Sequence, residues 1–512
     1  MDSEYIPDYY QIDSSNYMKN YHTKGIEWAE IREENNMADG NELHFISRNL
    51  DAYYRYSQAK LQVEFQVTDN AGAALAVNGT QLPRVAPVCD AWKALFRRGD
   101  LRLGEKGNKT AEVDNIGMIH YIYSLANYSK EYAESIGSQY LFDVDTASDQ
   151  HVTATVNDGG SSIGDIADQT VVTETGMYRP ILKRYKNNSG ADATLGTNGF
   201  IVENVYDNPN YNEGFKKRVD KSINLAADGT GALRTQTVYL PLAEVFPFLM
   251  DYDRVMRGCK LELHLWRDKN FASVLFGNTA QLAAAGQAAQ IRIIRVSLWV
   301  PRYYPSLSLE KSLTSALASN KKITVKYRHH HLYTQNYAEG INTDHSYNQL
   351  LSAYRPLKIY IAMQYQNRNT TRGVNSGQFD LVVQSIDIDI NQKKYPYRPY
   401  EITYTGNAGA VQVFNYQRVV DDLHRATGKM FDIEDSSIIT YENWPTLFPI
   451  FVFDLENFED RLFETNANIT VNFRTNSAPA NPGDAFTMYM LVESEREASI
   501  SYADNKFTID TL

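Results

Sequence analysis

Val245 to Arg267 reads VFPFLMDYDRVMRGCKLELHLWR, and Leu447 to Arg474 reads LFPIFVFDLENFEDRLFETNANITVNFR. Each stretch opens on an apolar residue followed by Phe-Pro, passes an acidic knot, and closes on an alternating run that ends aromatic-Arg. The same phrase spoken again half a chain later is what an internally repeated structural unit leaves in a sequence. Phe246, Pro247, Arg267, Phe448, Pro449 and Arg474 are the markers of that repeat. They predict two similar domains in tandem, with Phe246 and Phe448 at comparable positions.

The runs around these markers have the period of strands. LQVEFQV puts Leu61, Val63, Phe65 and Val67 on one face, and KLELHLW does the same with Leu261, Leu263 and Leu265. LKIYIAMQY aligns Leu357, Ile359, Ile361, Met363 and Tyr365, and SIDIDIN aligns Ile386, Ile388 and Ile390 opposite Asp387 and Asp389. Alternation of this kind marks half-buried antiparallel strands, and Asn78-Gly79 and Asp228-Gly229 mark turns between them. Few helices are expected: a tyrosine-lined one in MIHYIYSLANYSKEYAES, with Tyr121, Leu125, Tyr128 and Tyr132 at helical spacing, a turn or two in VCDAWKALF, and a short one after Pro305. The expected fold class is all-β, as two β-sandwich domains with a few short helices and long loops.

A chain of 512 residues exceeds what one core supports, and the prolines in LWVPRYYPS (298–306) place the boundary. The expected units are an acidic, polar arm over 1–40, a first domain over 41–300 and a second over 301–512. Within the first, 143–176 lacks any aromatic, Lys or Arg and reads as a long exposed loop. Removal of residues 1–39 is expected to leave the protein folded.

The net charge of −12 argues against a protein that coats nucleic acid. Two cysteines, Cys89 and Cys259, make no disulfide framework and read as small core residues. The first 20 residues have no apolar core of a signal peptide, and no run reaches the ~18 apolar residues of a membrane span. Tyrosine is the outlier, with 36 residues against 21 Phe and 5 Trp. It suits both interfaces and β-rich cores.

No motif for catalysis or nucleotide binding is present, so no catalytic, cofactor-binding or metal-ligating residue is expected, and the protein is read as a non-enzyme. His329 and His331 of RHHHLY would share a strand face, but no second ligand cluster accompanies them. Asp387 and Asp389 read as a solvated face, and FKKR (215–218) is too short a basic run for nucleic acid.

Four stretches together resemble the major capsid proteins of the double jelly-roll lineage of double-stranded DNA viruses. They are LFRRGDLRLGEKG with MIHYIYSLANYSKEY, GFKKRVDKS with TVYLPLAEVFPFLMDYDRVMRGCKLELHLWRDKN, IRIIRVSLWVPRYYPS, and WPTLFPIFVFDLEN, spread from Leu95 to Asn457. The chain lacks the Gly- and Gln-rich opening of the giant-virus relatives, so the resemblance is to the polinton-like virus and virophage branch. It implies two tandem jelly rolls and a homotrimer whose six wedges form a pseudo-hexagonal capsomer. It implies contacts with neighbouring capsomers, with penton and minor capsid proteins, and no sequence-specific nucleic-acid binding. The protein would lie in the virion shell, assembled inside the host cell; whether an internal membrane is present stays open. The alternative is a two-domain β-sandwich that binds or cleaves carbohydrate, using aromatic platforms and acidic pairs.

Overall fold

The computed structural model describes residues 23–34, 40–49, 51–74, 85–104, 109–146, 183–184, 200–201, 213–222, 233–268, 274–277, 289–307, 310–311, 322–338, 343–351, 355–365, 379, 383–402, 415–429, 436–445, 447–456, 467–475, 485–503 and 506–511. Sixteen of its strands fall into two sets of eight. The first set is β1 (Thr23–Arg32), β2 (Glu42–Ile46), β3 (Lys60–Thr68), β4 (Phe96–Leu103), β5 (Lys109–Asp114), β6 (Thr235–Pro241), β7 (Leu261–Arg267) and β8 (Gln290–Pro305). The second is β9 (Ile323–Tyr337), β10 (Asp344–Leu351), β11 (Arg355–Tyr365), β12 (Val383–Ile390), β13 (Lys393–Glu401), β14 (Phe451–Asp454), β15 (Ala467–Thr475) and β16 (Phe486–Ala503).

In the first set β6, β3, β8 and β1 pair in that order, and β2, β7, β4 and β5 form a second sheet. In the second set the orders are β14-β11-β16-β9 and β10-β15-β12-β13. Adding eight to each strand number converts one arrangement into the other. Two four-stranded antiparallel sheets in this order, face to face, are a jelly roll, so the chain is a double jelly roll.

The correspondence extends to register. Glu42, the first residue of β2, pairs with Trp266, and Asp344, the first of β10, pairs with Arg474. One residue later a β-bulge falls between β7 and β4 at Trp266/Arg267, and a bulge falls between β15 and β12 at Val383/Ser385. Such bulges pin the pairing of both neighbours.

The alternating residues form the cores. Leu61, Val63, Phe65, Leu261, Leu263 and Leu265 are buried in the first half, and Ile386, Ile388, Ile390, Ile469 and Val471 in the second. Fully burying such a side chain stabilises by roughly 1.5–3 kcal/mol. β11 departs from simple alternation: Tyr360 and Ala362 are as buried as Ile359, Ile361 and Met363. The reason is a helix of the other half, which covers its outer face.

That helix is the tyrosine-lined segment. It forms α2 (Ile116–Asn127) and then breaks, because Ser129 caps a new short helix, α3 (Lys130–Glu134), by accepting from the Tyr132 amide at 3.1 Å. The short helix expected before Phe96 is α1 (Ala91–Leu95). Gly117 lets α2 lie against α1, since a Cβ there would stand 2.3 Å from the Lys93 Cα. The remaining helices used below are α4 (Glu213–Ser222), α5 (Leu242–Val245) and α6 (Pro247–Asp251).

The arm reading of 1–40 needs correction. Thr23–Arg32 is a ten-residue strand, β1, antiparallel to β8 from Thr23↔Pro305 to Arg32↔Ser297. Its alternation escapes notice because neither face is cleanly apolar: Ile26 and Trp28 stand exposed, and Ala29 and Ile31 only partly cover the core. Of the loop expected over 143–176, only the first residues, to Thr146, lie among the described ones, and the helix expected after Pro305 falls mostly outside them.

Candidate functional site: the seam between the two halves

α2, α3, α5 and α6 all lie between strands of the first half in sequence, and α2 packs on β9 and β11 and α6 on β9 of the second half. The strongest link is Arg328 on β9. Its backbone N–H donates to Asp251 Oδ2 at 2.7 Å and its guanidinium to Asp251 Oδ1 at 2.7 Å, at the end of α6. Hydrogen bonding to Asp251 raises the Arg328 pKa above its usual value. The same guanidinium donates to Tyr123 Oη at 3.3 Å. The Tyr123 ring lies 4.6 Å from His330, and Asn127 donates to Tyr360 Oη at 3.2 Å. Tyr360 donates in turn to buried Glu493 at 3.3 Å. Phe248 and Tyr327 meet edge to face at 5.1 Å. Beyond them, α3 joins residues 436–437 by a Lys130 N–H to Ser436 carbonyl bond of 2.9 Å and an isolated bridge, Ser129↔Ser437.

Behind the seam lies a buried ion cluster. His120 Nδ1 faces Asp90 Oδ2 at 2.5 Å, and its Nε2 faces Glu244 Oε2 at 3.1 Å. Burial opposes a charge on the imidazole, but the two carboxylates outweigh it and hold the pKa up at about 10. Tyr132 donates to Glu244, and Asp90 also caps α1 through the Trp92 amide at 3.0 Å. Asp90 does this from a left-handed backbone, φ +82°, a conformation that costs about 1–3 kcal/mol and that its packing must hold. The opposite holds across the seam. Burial, with Arg328 and His120 nearby, pushes His330 down to about 3, and burial with Arg496 nearby does the same to His329.

The marked residues distribute as follows. Phe246 and Phe448 are both fully buried, and Pro247 and Pro449 are buried. Phe246 follows β6, where its ring packs over Gly99, whereas Phe448 precedes β14, the counterpart of β6. The two Phe-Pro steps thus sit at opposite ends of equivalent strands and are not counterparts. Arg267 and Arg474 do end equivalent strands, but one residue out of step: the register makes Arg474 the counterpart of Trp266. In a strand one residue reverses the face. Arg267 is accordingly buried, donating to the Ile291 carbonyl at 3.1 Å, and Arg474 is exposed, paired with Asp344 at 2.7 Å.

His329 and His331 do share a face, their rings 6.5 Å apart, with His329 buried and His331 exposed. Asp387 is buried rather than solvated and faces Lys394 at 3.3 Å, while Asp389 accepts from Asn472 at 2.8 Å. The basic run carries a structural residue: Arg218 on α4 is fully buried and donates to the Pro87 carbonyl at 2.9 Å and to Asp145 at 2.6 Å. Cys89 and Cys259 are buried, and burial pushes both thiols up, Cys259 to about 12. A group the sequence did not single out lies on the outer face of β2 and β7. There Glu262 Oε1 stands 3.3 Å from His44 Nε2 and 3.2 Å from His264 Nε2.

These contacts fix two jelly rolls against each other. Residues 217–496 match the family model described as double jelly roll-like domain. The chain belongs to this family. The double jelly-roll fold extends over nearly the whole chain. A chain in the cryo-EM structure of the Sputnik virophage is 13% identical, with 96% of this chain and 89% of that one covered and a TM-score of 0.56. The mavirus major capsid protein is 9% identical, with 98% and 95% covered and a TM-score of 0.52. No match is found among curated proteins.

Proposed function

We propose that this double jelly-roll protein is the major capsid protein of an icosahedral double-stranded DNA virus of the polinton-like or virophage kind. Its units are two jelly rolls, 41–300 and 301–512, the first taking in β1 as well. The observation that carries the reading is the repetition of strand order, register and bulge between the halves. Two nearly equivalent wedges per chain, three chains about an axis, give six wedges, and such a trimer tiles a hexagonal lattice. The polar, ion-paired seam holds the wedges at one angle, which a lattice requires. Exposed Ile26 and Trp28 on edge strand β1, and Tyr397 at 90% exposure on edge strand β13, offer apolar contact to further copies. In this reading the protein is structural and non-enzymatic. It meets neighbouring capsomers, penton and minor capsid proteins in the virion, and it is assembled inside the host cell.

Light scattering after size exclusion tests this. A stable species at three times the chain mass of 58.2 kDa is expected, with pseudo-hexagonal particles in negative stain. A monomer at every concentration that binds glycans would overturn it in favour of a carbohydrate-binding sandwich.

A further inference from the structure

On the outer face of the β2-β7-β4-β5 sheet, His44 and His264 are direct cross-strand partners, their rings stacked at 4.0 Å. Glu262, two residues before His264 on β7, points the same way, and one of its oxygens, Oε1, meets both Nε2 atoms at 3.3 and 3.2 Å. In a tetrahedral site with bonds of about 2.0–2.1 Å, neighbouring ligand atoms stand about 3.3–3.4 Å apart. The two Nε2–Oε1 distances match edges of such a polyhedron, and a rotation of the stacked imidazoles, now 18° apart, would bring both Nε2 lone pairs onto one ion.

Three further details fit a ligand set. His44 Nε2 is shielded from solvent, and its 3.3 Å contact with Glu262 Oε1 lacks hydrogen-bond geometry. His264 Nδ1 lies 2.8 Å from Glu42 Oε1, a carboxylate that fixes the ring and leaves Nε2 to coordinate, as outer carboxylates do for metal-bound imidazoles. The second oxygen of Glu262 lies 3.5 Å from Lys260 Nζ, and Oε1 is the oxygen turned towards the two imidazoles.

We propose that His44, His264 and Glu262 bind a divalent transition-metal ion, zinc above all, with a water completing the shell and Glu42 orienting His264. Two imidazoles and a carboxylate suit zinc better than calcium or magnesium, which take oxygen ligands. The ion would staple β2, an edge strand, to β7. This departs from the expectation that the chain has no metal ligands.

The test uses the full chain, stripped with EDTA and titrated with zinc alone by calorimetry. One ion per chain is expected, with a Kd of about 1 µM or tighter, and a Tm raised by at least about 3 °C at saturation. E262Q and H264Q should each weaken binding ten-fold or more. E42Q, which leaves all three ligands in place, should weaken it about ten- to hundred-fold, whereas H329N/H331N should bind as the unmutated chain does. Cobalt(II) on the unmutated chain gives a readout independent of any variant's folding: intense visible bands of a four-coordinate site are expected. A pale six-coordinate spectrum, no saturable zinc binding, undiminished binding in H44N/H264N, or loss of binding in H329N/H331N would each overturn the proposal.

Discussion

His120 and His330 are buried imidazoles on the two sides of one seam, and their surroundings drive them in opposite directions. His120, between Asp90 and Glu244, has its pKa raised from 6.5 to about 10, so the folded state keeps a proton that the unfolded state releases. Its contribution to stability is fully present below about pH 6.5 and is lost as pH rises through 10. His329 and His330 are lowered to about 3, so their contribution is present above pH 6.5 and is lost as pH falls towards 3. Urea midpoints should therefore decline on both sides of neutrality, and H120Q should flatten the limb between pH 7 and 9.5 while leaving the acid limb in place. An unmutated protein with a level midpoint from pH 7 to 9.5 would refute the charged His120. None of this was legible in the sequence. Asp90 and Glu244 are far apart in the chain and reach His120 only through α1 and α5. The offset of Arg474 against Arg267 was equally hidden, since matching letters do not reveal which residue sits at a bulge.

At the scale of elements, strands with one apolar face announced themselves, because alternation is a local property of the sequence. β1 did not, being an edge strand with mixed faces, and β11 looked half-buried because the helix that covers it lies more than 200 residues away in the chain. The break between α2 and α3 was also missed, although Ser129 with Tyr132 three residues on is a capping arrangement. The contact of α2 with α1 is the element most exposed to a single change. Gly117→Ala places a methyl against the Lys93 backbone, which cannot move as a side-chain tip can. A loss of about 1–3 kcal/mol or more is expected by urea denaturation. Gly25→Ala on β1 meets nothing within 4 Å and should stay within about 0.5 kcal/mol of the unmutated protein. Equal effects of the two would contradict the close approach of α1 and α2.

For the whole molecule, the tandem organisation was legible from the resemblance, whereas the letters of the repeat do not superpose. The eightfold strand order carries the repeat instead, and strand order is written in long-range pairing. The strand at the start of the first half now changes one expectation. Deleting residues 1–39 removes β1 and bares the edge of β8 from Ser297 to Pro305. The truncated chain should elute as aggregate by light scattering, since a long unpaired edge is a template for association; a well-behaved species of unchanged midpoint would restore the arm reading. The order of the strands also bears on synthesis. β8 and β16, the central strands of their sheets, are the last of their eight to be made. A ribosome adding about 5–20 residues per second thus holds the first half open, β1 and β3 apart, for some 15–60 s. Until then β1 and β3 lack the strand that joins them, and a chain that stops before residue 290 cannot close the first wedge.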